Sequence, residues 1–308
     1  MNSDDIFPAS IFKIENEETI YWNIHWYTNY IKAVSDKDYQ WKAWIENSIP
    51  GVADYLLQNL QELTEECFTY FVYHDAALLG FSPTLVKGLQ DLRERLDALP
   101  YNIKTDDREV LKSSEWNQIT VLAFKVYSLW KEDAAAKKFI IPSVPVDFAL
   151  QINPRVDVAD IGTHPSSIFR LRSEDRVVAI SSYINDFQYI AKNEIKPLSW
   201  FERNILNKKP RTLQIRSTLV SEPFTYFIYH DAKKIGFNDQ LISALKNLFR
   251  KFAKLPYNST IAEKNIIQTS DWTEVVIACR QVLELWQADA TANKYFTQTS
   301  DTSNATSR

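Results

Sequence analysis

The stretch FTYFVYHDAALLGF at residues 68–81 returns as FTYFIYHDAKKIGF at residues 224–237. Ten of the fourteen aligned positions are identical, and the two stretches lie 156 residues apart. The same spacing relates LPYN at residues 99–102 to LPYN at residues 255–258. Self-similarity at a fixed offset is typical of a repeated structural unit. The fold of one copy therefore decides the fold of the whole chain.

The repeat also sets the predicted domain organisation. Its copies cover residues 8–141, the first domain, and residues 165–297, the second domain, and PASIF near the start of the first aligns with PSSIF after a slip of one residue. Residues 142–164 contain three prolines and are predicted to be a linker. The polar tail at residues 298–308 is predicted to be disordered.

Composition and capping signals favour an all-α fold. The chain of 308 residues contains only five glycines, whereas sheet-rich proteins use many glycines in turns. Asn16 and Ser173 have the chemistry of helix N-caps and predict first helices at residues 17–34 and 174–191. Gly80 and Gly236 predict a left-handed end to the repeated helix. We expect about six helices in each copy.

The other predicted helices follow the same signals. A short helix is expected near Trp44 and Trp200, and a third helix at residues 52–63, or from Pro210 in the second copy. Residues 82–83 and 238–239 are expected to begin the fifth helix, which ends at LPYN. A loop of about a dozen residues then leads to the longest helix, starting at Ser114 or Ser270.

The two copies carry opposite charge. Residues 8–143 hold 14 basic and 20 acidic side chains, a balance of −6, whereas residues 165–308 hold 20 basic and 14 acidic ones, a balance of +6. Units of opposite sign attract, and a duplicated homodimer fused into one chain could diverge in this way. We therefore predict that the two copies pack as a pseudo-twofold dimer.

Cysteine usage and the N-terminus bear on location. Cys67 and Cys279 do not occupy matching positions in the two copies, so we predict two buried free thiols in a reducing compartment. The first residues show no signal-peptide pattern, and no run of about 18 apolar residues occurs. These features predict a cytoplasmic protein without a membrane partner.

The repeated helix places a carboxylate among apolar side chains. At about 100° per residue, Asp75 falls near the centre of a stripe that holds Phe68, Phe71, Val72, Leu78 and Leu79. A buried carboxylate needs hydrogen-bond donors. We expect Asp75 and Asp231 to accept from an indole N–H, a Tyr hydroxyl or a basic group; the candidate indoles are Trp116 and Trp130, and Trp272 and Trp286 in the second copy.

The adjacent His and Asp also suggest metal chemistry. His25, His74 with Asp75, and Asp133 occur in an order that resembles the HD-domain phosphohydrolases, which are all-helical enzymes. That resemblance implies a divalent metal ion bound by these four residues and an activated water that attacks a phosphoester. The second copy has Ser181 at the position of His25, so only the first copy holds the full set.

A third interpretation is a flat ligand bound at the repeated helix. His74 and His230 would be axial ligands of haem, or polar contacts to a similar tetrapyrrole. The ring-lined pocket around them would contain Tyr70, Tyr226, Trp130 and Trp286. If either copy catalyses a reaction, the candidate catalytic residues are His74, Asp75, His230 and Asp231.

The sequence most favours a non-enzymatic binding or protein-interaction module that needs no cofactor and takes a protein or small-molecule partner. Nucleotide-binding, hydrolase and zinc motifs are absent from the sequence. A basic run, RNILNKKPRTLQIR at residues 203–216, has no counterpart in the first copy, and the isoelectric point near 5.7 does not favour nucleic-acid binding. Whether the chain has any catalytic activity stays open at this level.

Overall fold

A computed structural model describes residues 6–49, 54–101, 105–140, 163–193, 211–255 and 266–297, with Leu213 described by its backbone alone. The elements in these ranges are helical, as the predicted all-α class requires. The chain divides into two compact units, residues 1–164 and 165–308. No helix within these ranges is long and apolar enough to cross a membrane. Most of the predicted linker, Trp200 and the predicted tail lie outside the described residues.

The first unit begins with a 3₁₀ turn at Ile11–Lys13 and contains seven helices in its described residues. They are α1 (Glu17–Ser35), α2 (Lys37–Gln40, continued by a π-helical turn at Trp41–Ile45), α3 (Leu56–Glu62), α4 (Glu66–Tyr70, a π-helical turn at Phe71–Asp75, and Ala76–Leu78), α5 (Pro83–Asp97), α6 (Asp107–Lys112) and α7 (Ser114–Glu132). Helix α6 lies in the segment predicted as a loop, where the Asp106 side chain accepts the Arg108 N–H and caps it.

The second unit begins with a 3₁₀ turn at Ile168–Arg170 and its described residues contain six helices. They are α8 (Ser173–Lys192), α9 (Arg211–Leu219), α10 (Glu222–Tyr226, a π-helical turn at Phe227–Asp231, and Ala232–Ile235), α11 (Asp239–Lys254), α12 (Ser270–Ala288) and α13 (Asn293–Thr297).

Local capping explains several helix ends. The Asn16 side chain accepts the N–H groups at the start of α1, and the helix matches its prediction to within one residue. Gly80 and Gly236 adopt φ values of +83° and +101°, which confirms the predicted left-handed ends. The predicted cap at Ser173 is wrong, because α8 already includes Ser173 and Arg172 precedes it without a side-chain cap bond.

Each unit has its own apolar core around one long helix. In the first unit α7 packs against both α1 and α5, and α1 also contacts α3. In the second unit α12 packs against α8 and α11, and α9 contacts α8. One groove lies between α1 and α3 in the first unit, and another lies between α8 and α9 in the second unit.

Two predictions of burial have different outcomes. The apolar stripe of α4 is buried as predicted, except that Leu78 is only half-buried. Cys279 is buried, but the prediction of a buried Cys67 is wrong, because this thiol is exposed. Cys67 lies at the start of α4, next to two glutamates, where the helix has not yet entered the core.

Candidate functional site

The repeated helix contains a π-helical turn in both units. The Ala76 N–H donates to the Phe71 carbonyl, and the Ala232 N–H donates to the Phe227 carbonyl, each across five residues. Such turns are rare and occur frequently at functional sites. The turn ends at Asp75 and Asp231, so it fixes where these two carboxylates point.

Asp75 holds the N-terminal 3₁₀ turn of the first unit. Its carboxylate accepts the Ser10 hydroxyl on Oδ1 and the Ile11 backbone N–H on Oδ2, both at 2.9 Å. In the second unit Asp231 accepts the Ser167 hydroxyl at 2.9 and 3.0 Å and the Ile168 N–H at 2.8 Å. Asp75 therefore links the first 3₁₀ turn of its unit to α4. Asp231 links the first 3₁₀ turn of the second unit to α10.

The predicted donors to these aspartates are wrong. The Trp116 indole donates to Gln40 Oε1, and the Trp130 indole donates to the Ala136 carbonyl. Their counterparts Trp272 and Trp286 donate to Asn193 Oδ1 and the Ala292 carbonyl. Backbone N–H groups and a serine hydroxyl satisfy the carboxylates at the start of a short turn, a role that sequence periodicity does not reveal.

Burial raises the pKa of the Asp75 carboxyl to about 7, although the bonds from Ile11 and Ser10 oppose this shift. The pKa of Asp231 is also raised by burial, against the bonds from Ile168 and Ser167. At this site the free-energy cost of removing a carboxylate from water therefore exceeds the free energy gained from its hydrogen bonds with two neutral donors. Protonation near neutral pH is a property of this structural link and does not require a catalytic role.

Replacing Ser10 with alanine should lower the free energy of unfolding by about 1–2 kcal/mol, since it removes the bond to Asp75 and the acceptor of the Phe12 N–H. The matched variant Ser167→Ala should cost a similar amount in the second unit. Urea unfolding followed by circular dichroism measures both. Exposed Ser217→Ala is the control, and equal costs for Ser10→Ala and Ser217→Ala would contradict this role.

The predicted ligand-binding histidines pack against tyrosines one turn earlier. The ring centroids of Tyr70 and His74 lie 4.5 Å apart, and those of Tyr226 and His230 lie 4.6 Å apart. His74 also lies 5.7 Å from the ring of His164, which is buried. Burial first, and then Lys234 and Lys246, lower the pKa of His230 to about 3, so this imidazole is neutral. The predicted flat-ligand site thus consists of packed rings in each unit.

The two tryptophans predicted to line that site belong to the cores. Trp130 and Trp286 are fully buried, and their indoles bond to carbonyls six residues later. Trp130 packs against Phe71 and Phe81, with ring centroids 6.4 and 5.3 Å apart. These contacts assign both tryptophans a packing role.

The four candidate metal ligands are engaged in separate contacts. His25 Nδ1 lies 2.7 Å from the Phe139 carbonyl and Nε2 lies 3.0 Å from the Asn29 amide, so both ring nitrogens are used. Asp133 accepts the N–H groups of Ser82, Ala135 and Ala136 at 2.9 Å. Burial alone would raise the pKa of Asp133, but these bonds lower it. Among the described residues, no three His, Cys, Asp or Glu side chains lie close enough to hold a metal ion.

A cavity of about 800 Å³ opens between α1 and α3 of the first unit. We call it the acidic groove, because its lining holds four carboxylates, of Asp36, Asp54, Glu62 and Glu65, and four aromatic rings, of Trp26, Tyr27, Tyr30 and Tyr39. Among the described residues that line it, Lys32 carries the one basic side chain. Trp26 and Tyr30 lie one turn apart on α1, with ring centroids 6.3 Å apart.

Asp54 fixes one wall of the acidic groove. It accepts the Tyr39 hydroxyl at 2.8 Å, the Trp44 indole N–H at 3.1 Å and the Asn59 amide at 2.6 Å. Burial and then the bond to Asp54 raise the pKa of Tyr39, so its hydroxyl stays a neutral donor. Three donors therefore hold this carboxylate in place, and Asp54 serves as a rigid part of the wall.

Asn59 presents an unused acceptor at the same wall. Its side chain is fully buried, and its amide nitrogen donates to Asp54 Oδ1 and to the Tyr55 carbonyl. These two bonds fix the amide orientation. Its Oδ1 atom has no hydrogen-bond partner within the described ranges.

Glu62, the last residue of α3, and Glu65, the residue before α4, repel each other. The pKa of Glu65 is raised by its partial burial and then by the charge of Glu62. The pKa of Tyr30 is raised by burial and then by the same Glu62 charge. A cation between these carboxylates and the Tyr30 ring would relieve the repulsion.

The second unit has a smaller groove at the corresponding helix pair. It measures about 320 Å³ between α8 and α9, and its lining includes Asp186 and Arg211, which lie 156 residues after Tyr30 and Tyr55. The Arg211 guanidinium donates to Asp186 at 2.8 Å and lies 5.9 Å from the Tyr189 ring centroid. We call this the arginine-filled groove.

Cys67 is the one lining residue of the acidic groove that the sequence singled out, as a free thiol. The motifs selected from the sequence are those that both copies retain, whereas several groove residues, such as Trp26 and Glu62, differ from their counterparts Ser182 and Thr218. The available signal was the exchange of Tyr30 for Asp186 and of Tyr55 for Arg211 at matched positions.

Comparisons with protein-family models, with curated proteins and with solved structures find no match to this chain. Its function must therefore be argued from the geometry and chemistry of its own residues.

Proposed function

We propose that this chain is a non-enzymatic binding protein that holds an organic cation in the acidic groove of its first unit. One observation carries the proposal: four carboxylates and four aromatic rings line a single cavity of about 800 Å³ together with one lysine. Carboxylates attract a cation, and ring faces attract it further when water is excluded. The cavity volume lies within the range of small-ligand sites.

Two features of the lining support binding over a purely structural role. Trp26 is 52% exposed at the groove, although burying such a ring in a core would stabilise the fold. The charge of Glu62 raises the pKa of Glu65, so the two carboxylates repel each other. A cation with an apolar body would cover the exposed Trp26 ring and would reduce the repulsion between the two glutamates.

Calorimetric titration tests the proposal with small probes. We expect arginine methyl ester or lysine methyl ester to bind the full chain, and the dianion N-acetylglutamate not to bind. The double variant Glu62→Gln/Glu65→Gln should weaken cation binding at least about 10-fold, which equals about 1.4 kcal/mol. Raising the salt concentration should weaken it as well.

The matched control is Glu109→Gln/Glu132→Gln, which removes the same two charges from exposed sites on α6 and α7 of the same unit. It should bind the cation as the wild type does. Absence of binding by both esters, or equal binding by the two double variants, would overturn the proposal.

Three further interpretations stay predictions from the sequence. They are the origin of the two copies by duplication, their pseudo-twofold pairing through opposite charge, and a cytoplasmic location. The opposite charges of −6 and +6 support the second of these.

A further inference from the structure

We infer that the cation in the acidic groove is the guanidinium of an arginine side chain, presented by a peptide segment of a protein partner. This inference rests on the proposed function and names the ligand class. It is carried by the arginine-filled groove of the second unit, where the guanidinium of Arg211 lies between α8 and α9, the helices that correspond to α1 and α3.

Arg211 shows how such a groove recognises a cation. Its terminal nitrogen bonds to the Asp186 carboxylate at 2.8 Å, and its Cζ atom lies 5.9 Å from the Tyr189 ring centroid. The Asp186 carboxylate is 6% exposed whereas the Arg211 side chain is 51% exposed, so a buried carboxylate holds a guanidinium that stays partly in contact with water. One charged contact and one ring contact thus hold a guanidinium against this helix pair.

The first unit keeps the groove but lacks the internal arginine. Tyr30 stands at the position of Asp186, and Tyr55 stands at the position of Arg211. Without the ion pair the cavity is more than twice as large, about 800 Å³ compared with 320 Å³. Lys32 is the one basic side chain among the described residues that line the acidic groove, so a guanidinium bound there would be supplied by another molecule.

The lining of the acidic groove has the acceptors that a guanidinium requires. Glu62 and Glu65, placed where the second unit has Thr218 and Ser221, offer carboxylate oxygens to its fork of N–H donors. The Trp26 and Tyr30 rings offer flat faces on which the planar group can stack, whereas a hydrated ammonium stacks less well.

The size of the groove indicates a peptide as the source of the arginine. A cavity of about 800 Å³ exceeds the space that a single side chain occupies, and its rim holds amides of Asn23, Asn29 and Gln58 that can bond to a peptide backbone. An excess of carboxylates over the single lysine also favours a segment without acidic residues beside the arginine.

Three peptides that differ at one side chain test the inference by calorimetry on the full chain. They are acetyl-Gly-X-Gly-amide with X as arginine, lysine or citrulline, the last having the shape of arginine without its charge. We expect the arginine peptide to bind at least about 10-fold more tightly than the lysine peptide, and the citrulline peptide to show no binding. The variant Glu62→Gln/Glu65→Gln should lose this preference, and Glu109→Gln/Glu132→Gln should keep it.

The outcomes separate this inference from the proposed function. Equal or tighter binding of the lysine peptide, still dependent on Glu62 and Glu65, would overturn the guanidinium assignment and leave a cation-binding groove. Equal binding of the arginine and citrulline peptides would overturn both, because charge would then play no part. Near-ultraviolet circular dichroism of each variant shows that a loss of binding does not reflect unfolding.

Discussion

Between pH 4 and pH 8 the wild-type protein should lose up to about 4 kcal/mol of stability relative to its Asp75→Asn variant. Burial raises the pKa of Asp75 from its ordinary value near 4 to about 7. A carboxyl whose pKa is raised in the folded state binds its proton more tightly there. Its favourable contribution is complete below pH 4 and is lost as the pH rises through 7.

The Asn variant is a close mimic of the protonated side chain, because each has one carbonyl oxygen that can accept the Ile11 N–H and one donor group that can face the Ser10 hydroxyl oxygen. The other aspartates, including Asp231, are present in both proteins, so their titration cancels in the difference. Urea unfolding at several pH values measures the free energies, and carbon-13 carboxyl shifts report the pKa directly. A wild type that gains stability over Asp75→Asn as the pH rises would show that the N–H and hydroxyl donors outweigh burial.

The double substitution Tyr30→Asp/Tyr55→Arg should abolish binding of the arginine peptide, with a loss of at least about 100-fold, or about 2.7 kcal/mol. It places the ion pair of Asp186 and Arg211 at the matched positions of the first unit, so an internal guanidinium fills the acidic groove. The net charge of the chain is unchanged. A loss of binding would therefore reflect occupation of the groove and not a weaker field.

The matched control Tyr30→Phe/Tyr55→Phe keeps both rings and adds no charge. It should bind the arginine peptide within about threefold of the wild type, because ring faces and not hydroxyls contact the cation. Calorimetry with both variants decides the matter. If Tyr30→Asp/Tyr55→Arg binds as the wild type does, the arginine-filled groove is not a guide to the ligand of the acidic groove.

Helix positions were the most predictable part of this fold. Signals that act within one or two turns, such as the Asn16 cap and the left-handed Gly80, set helix ends locally and are visible in the sequence. The π-helical turn at Phe71–Asp75 was not predicted, because it adds only one residue to a helical turn. An insertion of one residue is too small a change to detect in the apolar periodicity of the sequence. Helix α6 was missed because six residues are too few for a periodic pattern.

The repeated Tyr-His-Asp sequence was predictable in position and not in role. Its periodicity placed Asp75 on the buried face, and the structure confirms that burial. The donors come from Ser10 and Ile11, more than 60 residues earlier, and a tertiary contact of that length leaves no spacing to read. The presence of Asp75 and Asp231 at matching positions of both copies indicated a structural contact that the two copies share. The metal and haem interpretations did not take this contact into account.

The acidic groove depends on side chains that differ between the two units. The helix pair of α1 and α3 is held in place by core residues that resemble those of α8 and α9, such as the buried Leu63 and Leu219. Asp186 and Arg211 of the second unit stand where the first unit has Tyr30 and Tyr55. Identity between the two units marks the shared scaffold, and the differences between them mark where the two grooves differ in charge and size.

The most direct measurement of the central claim is the contact between the ligand and the groove in solution. Nuclear Overhauser effects between a carbon-13-labelled arginine peptide and the aromatic rings of the full chain report distances below about 5 Å. We predict that the arginine side-chain protons give cross-peaks to the rings of Trp26 and Tyr30, and that these disappear in Tyr30→Asp/Tyr55→Arg. Bound peptide whose cross-peaks fall on aromatic residues outside the acidic groove would contradict the account.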